Sequence, residues 1–214
     1  MYDAINKGWS RTNGDILSWL NADEQYLPDT LKVIEKLFED LKDVDVIFGD
    51  FIITDRLGCP IAARREIPLR PFLLRNSFLY AFSCTLFFRR TLLDSGLLRF
   101  DTSYRFAGDA DLIHRLFDHG VKFYHTAQYL SLFEMSDINL TKSPGVKIEA
   151  KMIDSKYKTN IDSAFGKLFV LFRYAEKLMR GCYWHRKISY EYSVDDTPTY
   201  KIFENVNVGN RFKW

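Results

Sequence analysis

Residues 15–48 hold the pattern that most restricts the fold. Asp15–Leu20 is an apolar, strand-like run, and Pro28–Leu41 carries Leu31, Ile34, Leu37, Phe38 and Leu41 at helical spacing. Val44–Phe48 is then rich in β-branched residues. Strand, helix and strand in that order predict a βαβ organisation and a mainly parallel sheet of the α/β class.

The first run ends abruptly in Asn21-Ala-Asp-Glu24. An acidic pair at the carboxyl end of a parallel strand lies where open α/β sheets take their ligands. Hard carboxylate oxygens there suit Mg2+ or Mn2+ that also holds substrate phosphates, so Asp23 and Glu24 are the candidate metal ligands. The same residues also suit a plain polar turn, because Asn and Asp favour turns and Pro28 fits the first position of a helix.

Further along, Asp3–Arg11 reads as a short helix, and Phe51–Thr54 with Pro60–Ala63 as a hairpin around Asp55-Arg-Leu-Gly58. Ala81–Arg89 is aromatic and strand-like, and Arg90–Gly96 is a short helix ending at glycine. The second half of Phe100–Gly120 is helical with Leu112, Ile113, Leu116 and Phe117 inward, and Gly120 stops it. Val121–His125 and Tyr129–Phe133 are the expected last strands. In Gly108-Asp-Ala-Asp-Leu-Ile-His-Arg115, Asp109 stands where a carboxylate caps free N–H groups, and Asp111 and Arg115 form an i,i+4 pair with the acid N-terminal.

Composition excludes several classes. Hydrophobic residues at 47% and charged ones at 27% of 214 residues describe a folding chain, neither disordered nor fibrous. The longest apolar run, Phe78–Phe88, is far short of the roughly 20 residues that cross a bilayer. No basic region followed by an apolar core marks the N-terminus as a secretory signal. Cys59, Cys84 and Cys182 are widely spaced and odd in number, which points to reduced thiols and a cytoplasmic setting. The histidines His114, His119, His125 and His185 show no metal-binding spacing.

The net charge of +2 is uneven: residues 1–140 carry 16 Lys and Arg against 20 Asp and Glu, whereas residues 141–187 carry 11 against four. Residues 165–187 mix aromatics, Leu and cations in the manner of interfacial helices, so a membrane surface, peripherally on the inner face of the plasma membrane, is an expected partner alongside simple packing. Nucleic acid is not an expected partner, because no recognition motif accompanies the basic segment. Arg64, Arg65, Arg70 and Arg75 suit either a solvated surface or contact with phosphate groups.

Three blocks carry a resemblance. Tyr2-Asp-Ala-Ile-Asn-Lys-Gly8, Gly14-Asp-Ile16 and Leu20-Asn-Ala-Asp-Glu-Gln-Tyr-Leu-Pro28 resemble, in that order, the middle of a family 2 glycosyltransferase domain. The resemblance implies that Asn21 and Asp23 occupy the Asp-x-Asp positions that bind the metal and the diphosphate of a nucleotide-sugar donor, with Glu24 where many members have a second Asp. Gly108–Arg115 resembles the family's second signature, an acidic residue followed by x-Asp-Leu-x-x-Arg, and implies that Asp109 is the base that deprotonates the acceptor hydroxyl. Relatives often place Glu where this chain has Gly108. Tyr104 and Phe106, just ahead, are candidates to stack on an acceptor sugar or to pack in the core.

What the resemblance implies is a partial GT-A, Rossmann-like catalytic domain over residues 1–140 and a basic helical extension over 141–214. The implied reaction is inverting, metal-dependent sugar transfer to a glycan or lipid-linked acceptor in bacterial cell-surface polysaccharide synthesis. A fold-retaining remnant or interaction module without turnover is the alternative. Family members place a strand, a helix and a second strand for the nucleoside ahead of a block like Tyr2–Gly8. Without them Asp15–Leu20 is expected to be a sheet edge and nucleotide-sugar binding to be weak.

Overall fold

The computed structural model describes residues 1–76, 79–135, 144–158, 163–184, 186–194 and 197–206. Phe78, His185 and the expected domain boundary at 140/141 lie outside them.

The chain opens with helix α1 (Tyr2–Arg11), whose buried face is Tyr2 and Trp9. Strand β1 is only Ile16–Leu17, shorter than the apolar run, because the chain turns at Ser18 towards β2 (Glu24–Tyr26). Helix α2 (Thr30–Asp40) follows and buries Ile34 and Phe38. Its start is Thr30 rather than Pro28, since Asp29 takes a left-handed φ of 63° and breaks the helix before it.

The expected pairs Val44–Phe48 with Phe51–Thr54, and Val121–His125 with Tyr129–Phe133, merge into single strands, β3 (Val46–Thr54) and β6 (Phe123–Glu134). Their parallel pairing shifts register beside Gly49, where an added Cβ would stand 2.9 Å from the Gln128 carbonyl oxygen. The irregularity is therefore a bulge that a glycine permits, not a strand boundary. β4 (Pro60–Arg64) returns along β3 through a turn with Gly58 at φ 70°.

After α3 (Pro71–Asn76) and a 3-10 turn at Ser83–Thr85, β5 (Phe87–Arg89) leads into α4 (Arg90–Asp94) and later α5 (Gly108–Asp118). Gly96 and Gly120, at φ 77° and 73°, close these two helices as glycines do. The sheet runs β1-β5-β3-β6-β2, with β4 on the other half of β3. It is mixed, and β3 with β6 is its parallel pair; the pairings β1–β5, β3–β5, β2–β6 and β3–β4 are antiparallel. The sheet curls, so that the Tyr26 ring of β2 lies 5.3 Å from Phe87 of β5.

The extension begins helically, with α6 (Pro144–Tyr157) and α7 (Ser163–Met179), and then forms a hairpin, β7 (Arg186–Val194) and β8 (Thr197–Val206). Alternating Ile188, Tyr190 and Tyr192 bury one face of β7 against Ile52, Ala63 and Leu132, so the hairpin covers the sheet. Ile153 and Cys182 join the main core around Tyr2 and Phe100. The three cysteines are free.

Helix α6 docks on α5 through polar groups. Asp111 is fully buried and accepts from Lys156 Nζ (2.7 Å), the Tyr157 hydroxyl (2.8 Å) and Arg115 Nε (2.8 Å). Burial pushes the Asp111 carboxyl up, but these donors outweigh it and the net shift is downward. His114 stacks on Tyr157 at 4.4 Å, and burial lowers its pKa to about 4. An unfolded chain protonates His114 near its ordinary value of 6.5, before the folded one does, so stability falls as pH drops from about 6.5 towards 4. The depressed Asp111 contributes stability above its ordinary pKa that is lost only at lower pH, as it protonates in the folded state. We expect chemical denaturation between pH 7 and pH 4.5 to show a loss of about 2 kcal/mol that His114→Phe, which keeps the stack, largely removes.

Candidate active site

The acidic turn is fixed from inside by aromatic side chains. Trp9 Nε1 donates to the Ser18 carbonyl (3.0 Å), and the Tyr26 hydroxyl donates to Ser18 Oγ (2.9 Å). Trp19 is buried edge-on to Trp9 (5.7 Å) and Phe100 (5.1 Å) and stacks on Phe88 (6.0 Å). Beyond Trp19 the turn closes on itself. Glu24 accepts the Asn21 N–H at Oε2 and the Asn21 side-chain amide at Oε1, both at 2.9 Å, and its own N–H donates to the Asn21 carbonyl (3.1 Å).

Glu24 is buried, and that burial raises its carboxyl above the ordinary range against the Asn21 hydrogen bonds. Asp23 is exposed. The turn reading and the site reading thus fall on different residues: Asn21 and Glu24 build the turn, and Asp23 projects from it. Among the described residues no three His, Cys, Asp or Glu side chains gather into a metal cage. A lone exposed carboxylate fits a Mg2+ ion held mainly by substrate phosphates and water. Glu24 would have to leave both Asn21 bonds to become a second ligand.

Asp109 is the second residue of α5. Desolvation raises its carboxyl; the N–H of Ala110, at 2.9 Å, and its own N–H work against this, and the negative charge of Glu149 works with it. The raised value suits a base, which must hold a proton it has taken. Asp109 is not the N-cap residue, which is Ala107, but its carboxylate takes the free N–H of Ala110 and its own, as expected of an acid in the first turn. The N–H groups just ahead of it have other acceptors: Arg105, Phe106 and Ala107 each donate to the Glu149 carboxylate at 2.8 Å, and Gly108 donates to the Tyr2 hydroxyl at 3.0 Å.

Glu149 belongs to α6, more than 40 residues away in sequence, and carried no sequence signal of its role. Burial pushes its carboxyl up, but the three backbone donors bring it below the ordinary range. The Tyr2 phenol is raised, first by burial and then by the charge of Asp109. Its ring stacks on Phe100 at 4.6 Å, and Asn6 pairs with both the N–H and the carbonyl of Phe100 at 2.9 Å. Helix α1 therefore touches the acidic turn through Trp9 and the start of the Asp109-bearing helix through Tyr2. No direct hydrogen bond or ion pair joins Asp23 or Glu24 to Asp109 among the described residues.

The other candidates are structural. Tyr104 is buried in the core, and Phe106 packs against Gly145 with the Arg105 guanidinium 5.6 Å from its ring. Arg65 is buried beside Asp50 (3.5 Å) and donates to the Gly181 carbonyl (2.8 Å). Arg70 pairs with Glu176 (2.9 Å) and Arg75 with Asp118 (2.6 Å). Beside β1, which ends the sheet as expected, Ile16, Leu31, Ile34, Phe38 and Phe87 line an open groove, and Leu31 is exposed although it lies on the apolar stripe of α2.

Gly108 has a steric reason. A Cβ there would stand 2.6 Å from Tyr2 Cε2, whereas one on Gly8, in the same helix as Tyr2, would meet nothing within 4 Å. Gly108→Ala should therefore cost about 1–3 kcal/mol by displacing the Tyr2 ring, and Gly8→Ala should stabilise by about 0.5–1 kcal/mol. Urea midpoints of the two variants check this; equal effects would refute the steric account.

No curated protein matches the chain. The solved structure of S. aureus TarS 1-349 with UDP superposes at a TM-score of 0.50 with 14% identity, over 81% of this chain and 50% of that one. TarS 1-349 with UDP-GlcNAc superposes at 0.52 with 12% identity, over 81% and 52%. The chain thus spans about half the length of these structures, and at such identity the likeness is one of fold, the GT-A type. The Glycosyl transferase family 2 model matches residues 1–97, which include α1, the acidic turn and the strands that carry it. Over those residues the chain is similar to glycosyl transferase family 2.

Proposed function

We propose that the protein transfers a sugar from a nucleotide-sugar donor to a hydroxyl of a glycan or lipid-linked acceptor, with inversion, in the assembly of a cell-surface polysaccharide. The observation that carries this reading is Asp109. It is a carboxyl of raised basicity at the head of α5, in a chain similar to family 2, held by the Tyr2 and Phe100 packing that also fixes the acidic turn. Two solved structures of similar fold, TarS with UDP and with UDP-GlcNAc, make UDP-GlcNAc the first donor to test.

In this scheme Asp109 takes the proton of the acceptor hydroxyl as its oxygen bonds to the anomeric carbon. The bond from that carbon to the diphosphate breaks, and the electron pair leaves with the nucleoside diphosphate. A Mg2+ or Mn2+ ion bound at the diphosphate would supply charge neutralisation for the leaving group. Asp23 is the residue of this chain free to hold it, and Asn21 with Glu24 keeps Asp23 turned outward. One base and one single displacement are enough to invert the anomeric centre.

The second reading, a fold-retaining module without turnover, draws on the engagement of Glu24 with Asn21, which leaves one free acid in the turn. Activity separates the two. In the longest in-frame product that contains residues 1–214, UDP release from UDP-GlcNAc and other UDP-sugars is measured against glycan acceptors. Asp109→Asn should lower it by at least about a hundredfold with little change in folding. Asp23→Asn should raise the Mn2+ concentration needed for half-maximal rate. A rate unaffected by Asp109→Asn rules out Asp109 as base, and no turnover with any donor favours the module.

A further inference from the structure

Helix α7 is built the wrong way round for a helix that covers a core. Its charged residues Arg173 and Lys177 face inward at 4% and 2% exposure, while Leu171, Phe172, Leu178 and Met179 face outward at 62%, 58%, 60% and 80%. Residues 171, 172, 175, 178 and 179 fall on one stripe of a helix, and 173 and 177 fall on the opposite side.

The orientation is locked. Arg173 Nη2 lies 2.6 Å and Lys177 Nζ 3.1 Å from Glu66 Oε2, and Glu176 pairs with Arg70 of the α3 approach at 2.9 Å. Turning the apolar stripe inward would unpair buried charges, which costs more than the burial would return. The stripe continues onto α3, where half-exposed Phe72 and buried Leu73 form an apolar groove with Phe172, Ala175 and Met179. At its end Trp184 is 68% exposed.

We infer that this face of α7, with Phe72 and Trp184, lies on the surface of an anionic lipid bilayer. Three observations choose a bilayer over a protein partner. The exposed face of the helix holds no unpaired acid: its one acidic neighbour, Glu176, is engaged by Arg70 and Arg180. Over residues 144–184 the chain exposes Lys147, Lys151, Lys156, Lys158 and Arg180, while the described acids of that stretch, Glu149, Asp154 and Glu176, are partly buried and each bonded, so the outer charge of the helical part is cationic; the exposed acids Glu191 and Glu204 lie on the hairpin. Trp184 is the amphipathic ring that settles at headgroup depth. Among the described residues no helix is long and apolar enough to cross a membrane, so the helix lies along the surface. This inference is independent of the sugar-transfer reading.

The test is co-sedimentation of the full chain with vesicles of phosphatidylcholine alone and of phosphatidylcholine with phosphatidylglycerol. We expect binding to the anionic vesicles that weakens with added salt and a blue shift of tryptophan emission that Trp184→Phe abolishes. Leu171→Glu combined with Met179→Glu, both at outward positions, should weaken binding by roughly a hundredfold with an unchanged circular dichroism spectrum. The milder pair Leu171→Ser with Met179→Ser should weaken it in the same direction, which guards against a folding artefact. The inference is overturned if neither vesicle binds the chain or if both double variants bind as the wild type does. It is equally overturned if sedimentation shows a dimer that the variants dissolve, which would mean that a second copy covers the face.

Discussion

The ring of Phe100 is the contact on which the candidate site depends. Tyr2 stacks on it at 4.6 Å and Trp9 at 5.2 Å, both from α1, and Trp19 meets it edge-on at 5.1 Å from the acidic turn. Such ring pairs add about 0.5–1.5 kcal/mol each beyond the burial of their area. Their greater effect is geometric. Phe100 begins the segment that leads to Asp109, Trp19 begins the turn that presents Asp23, and α1 holds both against β5 through Phe88. Two loops that share no direct bond are thereby given one rigid reference.

The extension completes this frame. Three successive N–H groups at 105–107 point one way, a concavity that favours an anion, and Glu149 of α6 provides it. Asp111, one turn into α5, is paired by Lys156 of α6 and Arg115 of its own helix and accepts a further bond from the Tyr157 hydroxyl of α6. A division of the chain near residue 140 therefore marks a change in composition, from acidic to basic, more than an energetic seam. The loop before the base and the buried acid after it both take their partners from beyond that point.

Much of this was legible in the sequence wherever the signal was local. Helix α1, helix α5 with its glycine stop, the Asp111–Arg115 pair and the Gly58 turn follow from spacing and residue type within a dozen positions. The polar run at 21–24 was legible as turn or site, but not the split between Glu24 inward and Asp23 outward, since that rests on which carboxylate Asn21 captures. Strand direction was less legible: apolar runs do not state their partners, and β1 and β5 pair antiparallel where alternation with helices had pointed to parallel. The bulge at Gly49 hid one strand as two. The hairpin at 186–206 was masked by a polar, charged sequence whose buried face is every second residue of β7. The paired roles of Glu66, Arg173 and Lys177 were invisible, because they join residues about 110 positions apart.

Gly108 ties these strands of argument together. By resemblance, relatives often carry Glu at the position before the one that Asp109 occupies. Here the position is sterically closed by the Tyr2 ring, whose hydroxyl takes the Gly108 N–H instead. Glu149 of α6 binds the adjacent loop, and its charge adds a minor upward push on the Asp109 carboxyl to the desolvation that dominates. The cost of holding that second carboxylate close is met by the three backbone donors that bind it, so Glu149 stays ionised while Asp109 becomes more basic. A glycine at this position thus makes room for the Tyr2 ring, and so for the aromatic contact with Phe100 that organises the candidate site.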